Sequence, residues 1–329
     1  MLFARRPPER SSRVDICVGT VVNQIVYGAA ARGAMLAALQ EVRRLEALLS
    51  RFSRRSDVSK LNRAAGEKPV RLHPEAIRVL AKAFEVPRLC DGAFDVTASP
   101  LVSLWKVTSD SPAVPSEDAI MQARRLVDYR CLFVDESSGS ASLKGPGQMV
   151  DLGGIAKGFA ADRAVEIYRK RGVTSAMIDL GGNIAVLGSK EDGSPWNVGI
   201  QDPDAPQGEC LGVLSVSDKS VVTSGDYERF FEVDGQRYHH IVDPRTGYPA
   251  ESGLRSVTVV ASLSMTADAL STALFVLGLE RGLELLRTIR ATESSEGVEA
   301  LFVTGRREVH MTPGIAETYT PMAGPPTIV

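Results

Sequence analysis

The stretch VDLGGIAKGFAADRA, residues 150–164, sets an acid, two glycines and a lysine where a strand should pass into an amphipathic helix. The first turn of a helix leaves backbone N–H groups unpaired, so a strand ending at Asp151 and a Gly153-Gly154 corner would form an anion cradle. Lys157 would lie in the first helical turn, where the dipole disfavours a cation, which indicates an anionic ligand. Taken alone, the stretch fits an ordinary tight turn with a surface lysine equally well.

A second candidate site is the segment TADALSTAL. Asp268 and Thr272 are four residues apart and therefore share one face of a helix. Thr266 is a suitable N-cap, which would place Asp268 in the first turn. A carboxylate and a hydroxyl beside a phosphate site form half of a magnesium shell, whose other positions waters and substrate oxygens fill. Spacing alone favours an interpretation without a metal: an acid stabilised by the helix dipole, and a threonine whose hydroxyl is hydrogen-bonded to the backbone of its own helix.

A third candidate site is RYHHIVDPRTGYP, residues 237–249. His239 and His240 are neighbours on a predicted strand, so their side chains point to opposite faces and at most one faces a site. A single histidine on a strand is more often structural than catalytic, so the spacing leaves both roles open.

The elements that must position these residues mix strands and helices without strict alternation, which favours an α+β fold. Helices are predicted where apolar residues recur with helical spacing, at 34–52, 73–90, 117–127, 155–171 and 266–286. Single strands are predicted at 16–28, 174–188 and 256–261, and hairpins at 131–143 and 299–311. Residues 220–247 are predicted to form successive strands around a turn at Asp234-Gly235. Residues 1–13 are expected to be disordered, and residues 14–329 to form one domain.

Composition narrows the classes of function. The 329 residues carry a net charge of -2, which gives no reason to expect a nucleic-acid partner. The four cysteines are far apart in sequence and form no zinc-binding pattern, so they are interpreted as core residues. No segment is long and apolar enough for a membrane span or a signal peptide, which predicts a cytoplasmic protein. Motifs typical of dinucleotide folds and serine hydrolases do not occur.

Six blocks in this order resemble the ApbE-like family of FAD:protein FMN transferases: GAFDVTASPLVSLW, VDLGGIAKGFAADRA, IDLGGNI, VVTSGDYERFF, HIVDPRTG and TADALSTALFVLG. The similarity covers roughly residues 16–288. It implies a duplicated, T-fold-like arrangement of mixed and antiparallel sheets with packed helices, in which two intertwined α+β halves form the single domain 14–329.

The resemblance also implies an activity. Members of the family cleave FAD and attach FMN through a phosphoester to a threonine motif of an acceptor flavoprotein, releasing AMP and requiring Mg²⁺. By motif position, Phe94, Asp95, Val96, Asp151, Lys157 and Ile241 would bind FAD, while Gly154 (through its carbonyl), Asp268 and Thr272 would bind the metal. Lys157 would neutralise charge on the diphosphate, and His240 is expected to be the general base, with an aspartate as the alternative.

Two other functions are compatible with the same residues. One is a Mg²⁺-dependent FAD pyrophosphatase, in which water replaces the threonine, and the other is a non-catalytic flavin-binding protein. Relatives are commonly exported and anchored to the membrane. An exported, anchored protein is therefore the alternative to the cytoplasmic prediction if the start of the chain is trimmed or misassigned.

Overall fold

The computed structural model describes residues 10–291, 297–322 and 326–329. Within these ranges the α-helices are α1 (Ala31–Leu49), α2 (Asp57–Arg63), α3 (Pro74–Leu89), α4 (Ser99–Trp105), α5 (Glu117–Arg124), α6 (Ala156–Lys170), α7 (Ser264–Ala291) and α8 (Pro313–Ala316). The strands are β1 (Arg10–Cys17), β2 (Thr20–Tyr27), β3 (Val70–Arg71), β4 (Leu132–Asp135), β5 (Ser140–Leu143), β6 (Ala176–Leu180), β7 (Asn183–Leu187), β8 (Trp196–Gln201), β9 (Cys210–Val216), β10 (Ser220–Gly225), β11 (Phe230–Val233), β12 (Gln236–His239), β13 (Leu254–Ala261), β14 (Glu299–Thr304), β15 (Val309–Met311), β16 (Tyr319–Pro321) and β17 (Thr327–Ile328).

A nine-stranded sheet in the order β1-β2-β6-β7-β10-β13-β14-β15-β17 forms the centre of the described structure. Its pairs are antiparallel except for β15 and β17. The main hydrophobic core lies between one face of this sheet and helices α1, α6 and α7, and a second core lies on the other face, against β8, β9 and β16. Because both faces are covered, a central strand such as β13 is buried at every position except Arg255.

The predicted α+β class is confirmed, but the segment 174–188 is a hairpin and not the single strand expected from its sequence. β6 and β7 are joined at Gly181 and Gly182, whose φ angles are 64° and 83°. This is the left-handed region that a two-residue hairpin turn requires. A Cβ at Gly181 would lie 2.0 Å from Oγ1 of Thr20, so this turn packs directly against the start of β2.

The predicted disordered segment 1–13 is wrong for its last four residues. Arg10–Arg13 form the first half of β1 and pair in register with β2, so that Arg10 lies opposite Tyr27. Strand pairing uses backbone groups and does not need apolar side chains, which is why the polar sequence misled the prediction. Residues 1–9 lie outside the described residues. No helix within the described ranges is long and apolar enough to span a membrane.

A small third core supports the two-stranded sheet β11–β12. The rings of Phe231, Tyr238 and Trp105 form a stack, with centroids 5.4 Å and 5.5 Å apart. Trp105 closes α4, and its Nε1 donates a hydrogen bond of 2.8 Å to the carbonyl of Gly247. Helix α4 and the stack therefore fix the hairpin that leads into His240, the residue directly after β12.

Candidate active site

The Gly153-Gly154 corner is not the end of a regular strand. Residues 150–152, predicted to end one, lie outside every named strand. Asp151 is held instead by single contacts: its N–H donates to the carbonyl of Val96 at 2.8 Å, and its Oδ1 accepts from Gly153 N at 2.9 Å. The corner then runs straight into α6, with Lys157 in the first turn as predicted.

Gly154 brings together the three segments that the sequence analysis connected. A Cβ there would lie 3.0 Å from a ring carbon of Phe94 and 3.6 Å from Oγ1 of Thr272. Phe94 precedes α4 and Thr272 is on α7, so two predicted site residues from distant parts of the chain meet the corner. Any larger residue would bring its Cβ into tight contact with the Phe94 ring, which would have to shift by a few tenths of an ångström.

Asp268 lies deep at the junction of α6 and α7. Its side chain is buried, with 4% of the residue exposed, and its Oδ2 accepts a hydrogen bond of 2.8 Å from Gly158 N. Burial raises the pKa of this carboxyl, while the positive charge of Lys157 and hydrogen bonds from Gly158 and Asn183 act in the opposite direction. Asp268 and Lys157 therefore share one electrostatic environment. A cation beside Asp268 would offset the cost of burying its charge.

The N-terminus of α7 is capped by the side chain of Asp162, a residue of α6, and not by Thr266. α7 begins at Ser264, and the carboxylate of Asp162 on α6 accepts from the N–H groups of Ser264 at 2.7 Å and Met265 at 2.9 Å. The predicted N-cap at Thr266 is wrong because the capping oxygens come from a residue about a hundred positions away. Asp268 is consequently the fifth residue of α7 and lies in its second turn.

Gly158 sets the distance between α6 and α7. A Cβ on Gly158 would lie 2.3 Å from the carbonyl oxygen of Ser264 and 2.7 Å from Cα of Met265. Only glycine permits this approach, which also brings Gly158 N within hydrogen-bonding distance of Asp268. The sequence analysis gave Gly158 and Asp162 no role, although both lie in the motif that it quoted.

A cluster of hydroxyl groups surrounds Thr272. Oγ of Ser224, at the end of β10, lies 2.8 Å from Oγ of Ser271 and 3.4 Å from Oγ1 of Thr272. Ser271 in turn donates to the carbonyl of Asp268 at 2.9 Å. The sheet thereby contacts the face of α7 that carries the two predicted metal ligands.

His240 is held as a neutral imidazole. Its backbone N–H donates to the carbonyl of Arg229 at 3.0 Å, and its Nδ1 lies 3.3 Å from the same oxygen, which assigns the proton to Nδ1 and leaves the Nε2 lone pair available. Burial lowers the pKa of His240 to about 4; the hydrogen bond to the Arg229 carbonyl raises this pKa in part, and the charges of Arg229 and Lys157 lower it further. At neutral pH the ring is in the form that accepts a proton.

His239 has a structural role. Its Nε2 donates to the carbonyl of Ala250 at 3.0 Å, and its Nδ1 accepts from Ile241 N at 3.2 Å. Burial lowers its pKa, so it stays neutral in this network. The two histidines thus differ in role. Ile241 is buried, and its carbonyl accepts a hydrogen bond of 2.9 Å from Ala250 N.

Asp95 lies between two residues, Phe94 and Val96, that contact the corner. Oδ1 of Asp95 accepts from the N–H and the hydroxyl of Thr97, both at 2.7 Å, and Oδ2 accepts from Tyr129 N at 2.9 Å. Burial raises the pKa of this carboxyl, which those hydrogen bonds partly offset. The Asp95 side chain therefore holds its own turn, while Phe94 and Val96 reach the corner through the contacts given above.

Arg51 is a residue at the site that the sequence analysis missed. Its Nε lies 2.7 Å from Oδ2 of Asp151, and its terminal nitrogen NH1 donates to Oγ of Ser103 at 2.8 Å. The residue follows α1 in a polar loop, where no sequence pattern distinguishes it from the neighbouring arginines. This ion pair brings a second cationic side chain, in addition to Lys157, close to the corner.

The donors gathered here are oxygens. Asp268 has a carboxylate and Thr272 a hydroxyl, and Gly154, which lies next to Thr272, has a backbone carbonyl. Hard oxygen donors of this kind suit Mg²⁺, which commonly takes one or two carboxylates and completes its shell with water and phosphate. Across the described parts of the chain, no group of three His, Cys, Asp or Glu residues is placed to hold a metal ion.

Comparison with known proteins identifies the family. Residues 18–302 match the sequence model of the ApbE family. The chain belongs to the ApbE family. An FAD:protein FMN transferase of Treponema pallidum is 39% identical over 323 residues, covering 93% of this chain and 88% of the relative. A protein of the same name from Klebsiella pneumoniae is 38% identical and covers 82% of each chain.

Solved structures of ApbE proteins share the fold. The ApbE protein of Thermotoga maritima superposes with a TM-score of 0.86 at 32% identity, covering 94% of this chain and 99% of the other. The flavin transferase ApbE of Vibrio cholerae gives 0.80 at 28% identity, covering 91% and 94%. The resemblance drawn from the six motif blocks, and the ApbE-like α+β fold that it implied, are therefore confirmed.

Proposed function

We infer that this protein is an FAD:protein FMN transferase. Three relatives with this name match the chain over 88%, 82% and 70% of their own length. The observation that supports the assignment most strongly is the meeting of the corner with α7, where Gly154 lies against Thr272 and Asp268 bonds to Gly158. This meeting would bring the positive charge of Lys157 and the oxygen ligands of a metal ion to one place, as the cleavage of a diphosphate requires.

The diphosphate of FAD would bind at the corner, between Lys157 and the start of α7. In the reaction, the hydroxyl oxygen of an acceptor threonine forms a bond to the FMN phosphorus. The bond from that phosphorus to the bridging oxygen breaks, and AMP leaves with the electron pair. The proton of the threonine hydroxyl passes to a base.

Asp268, Thr272 and the carbonyl of Gly154 would hold Mg²⁺. When bound, the ion would supply positive charge at the diphosphate. Lys157 neutralises charge on the same group from the first turn of α6. Its charge lowers the pKa values of both Asp268 and His240, which supports a position near both groups.

His240 would accept the proton of the threonine. Its neutral ring and available Nε2 suit a general base, and burial keeps it unprotonated well below neutral pH. An aspartate is the alternative base, and Asp151 lies at the same corner. The flavin would lie against Phe94, Val96 and Ile241, with Asp95 contributing through its backbone because its carboxylate is already engaged.

A transfer assay tests this function. Purified protein, FAD, Mg²⁺ and candidate flavoprotein subunits from the same genome are incubated together. Transfer is expected to give in-gel flavin fluorescence of the acceptor, its mass increase at a threonine, and one AMP per FMN attached. Asp268→Asn should abolish these signals, while Asp192→Asn, which changes an exposed acid of a loop, should not.

The products separate the alternatives. Free FMN and AMP formed equally with and without acceptor would identify a pyrophosphatase. Tight FAD binding without AMP release, with Mg²⁺ present, would identify a flavin-binding protein. Either result contradicts the transferase assignment.

A further inference from the structure

The side chain of Asn62, near the end of α2, binds both backbone groups of Val150. Its Nδ2 donates to the Val150 carbonyl at 2.9 Å, and its Oδ1 accepts from Val150 N at 2.7 Å. A carboxamide carries the same donor and acceptor as a peptide group. Asn62 therefore supplies the pairing that a neighbouring strand would otherwise give, at a distance of 88 residues in sequence.

This pairing matters because, among the described residues, Val150 is paired with no strand, although the adjacent Met149 forms an isolated bridge with Ala98. The residue is fully buried and lies outside every named strand. Buried backbone groups must be hydrogen-bonded, so the course of the chain here is fixed by whatever satisfies them. Immediately after Val150, Asp151 is held by Val96 and Arg51, and three residues later the chain reaches the corner.

We propose that Asn62 is a positioning residue for the diphosphate corner. By holding both backbone groups of Val150, it sets where the amides of Gly153 and Gly154 lie relative to α7. The proposal rests on the proposed function, since it assigns the corner to the diphosphate of FAD. Asn62 acts through Val150 and does not itself touch the substrate.

The expected effect of Asn62→Ala is a fall in kcat of about 10- to 100-fold, since a misplacement of about 1 Å costs up to about 10²-fold in rate. FAD affinity, measured by flavin fluorescence without metal, should also fall. Arg63→Ala is the matched control: it removes a neighbouring side chain of α2 whose 2.9 Å bond to the Arg54 carbonyl is exposed. Its kcat and FAD affinity should equal those of the wild type.

Asn62→Asp provides a readout that a purely structural role would not move. An ionised carboxyl presents only acceptors, so it repels the Val150 carbonyl. A protonated carboxyl presents one acceptor and one O–H donor, as the amide does. The ratio of variant to wild-type kcat should therefore rise as the pH falls, whereas the ratio for Asn62→Ala should stay constant.

Charged groups on the neighbouring elements surround the introduced carboxyl. On α2 they are Asp57, Lys60 and Arg63, and at the corner they are Arg51 and Asp151. Of the elements that pack on α2, β5 carries none, and α1 carries Arg32, Glu41, Arg43, Arg44 and Glu46. These groups and His240 titrate in both the variant and the wild type. Dividing the kcat of the variant by that of the wild type at each pH therefore removes their titration from the pH profile.

The outcomes decide the proposal. A folded Asn62→Ala protein with wild-type kcat and FAD affinity would overturn it, as would a reduced Asn62→Asp ratio that does not change with pH. Circular dichroism at the assay temperature establishes folding, and if Asn62→Ala is unfolded, the pH profile of Asn62→Asp decides alone. A wild-type protein that binds FAD but transfers no FMN would contradict the proposed function only, because FAD affinity still reports on Asn62.

Discussion

Gly158→Ala adds one methyl group at the closest approach of α6 and α7. The new Cβ would lie 2.3 Å from the Ser264 carbonyl oxygen, whereas ordinary contacts begin at 3.4 Å. The start of α7 must therefore move by about 1 Å, since the opposing atoms are backbone. The same movement would break the 2.8 Å hydrogen bond from Gly158 N to Asp268.

Two effects should follow from this displacement. Overpacking of this kind costs about 1–3 kcal/mol, and the gain of about 1 kcal/mol in helix propensity offsets only part of it. Moving Asp268 by about 1 Å should slow FMN transfer by about 10²-fold. Urea unfolding measures the free energy of unfolding, and the in-gel flavin assay measures the rate.

Gly33→Ala is the matched control. Gly33 lies in α1, and outside that helix the one described atom within 4 Å of its new Cβ would be a flexible side-chain nitrogen of Arg171 at 3.7 Å. This variant should be as stable as the wild type or more stable, with an unchanged rate. If Gly158→Ala matched Gly33→Ala in both measurements, the close packing of α6 on α7 would not position the site.

Three further changes test the site. Asp268→Asn keeps an oxygen that can accept from Gly158 N–H and removes the buried charge of a carboxyl whose pKa is raised by burial. The thermal midpoint at pH 7 should therefore stay the same or rise. Mn²⁺ binding, followed by electron paramagnetic resonance, should be lost. His240→Gln should slow transfer by about 10²–10⁴-fold, and a loss below tenfold would exclude His240 as the base. The pKa of His240 is about 4 in the folded protein and about 6.5 in the unfolded protein. Between these pH values the unfolded state binds more protons, so the free energy of unfolding should rise with pH. His240→Gln should reduce this rise, as measured by urea titrations at several pH values. Asp162→Ala removes the cap of α7 and should cost about 0.5–2 kcal/mol by thermal unfolding, with no loss if the cap is dispensable.

Local patterns in the sequence were sufficient for most elements. The helix predicted at 73–90 is Pro74–Leu89, because its apolar spacing and its proline in the first turn are local signals. The turn at Asp234-Gly235 is also present, with φ angles of 51° and 78°. The segment 174–188 was misjudged because two adjacent glycines inside an apolar run were not interpreted as a turn.

The residues that support the site could not be found in this way. Their partners lie far away in the sequence: Val150 for Asn62, Met265 for Asp162 and Asp151 for Arg51. Nothing in the sequence around these three residues indicates those partners. The motif blocks identified the residues expected to touch FAD and metal, and the structure brings Gly154, Asp268 and Thr272 to one place. Their roles as ligands stay predictions.

The aromatic stack beneath the β11–β12 hairpin makes this protein convenient for spectroscopy. The chain has two tryptophans: Trp105 in the stack, and Trp196, which lies near Tyr27 on the other side of the central sheet. Trp196→Phe would leave a single emitter beside the element that carries His240. Its emission would then report, in real time and without any attached dye, on how that hairpin responds when flavin or acceptor arrives.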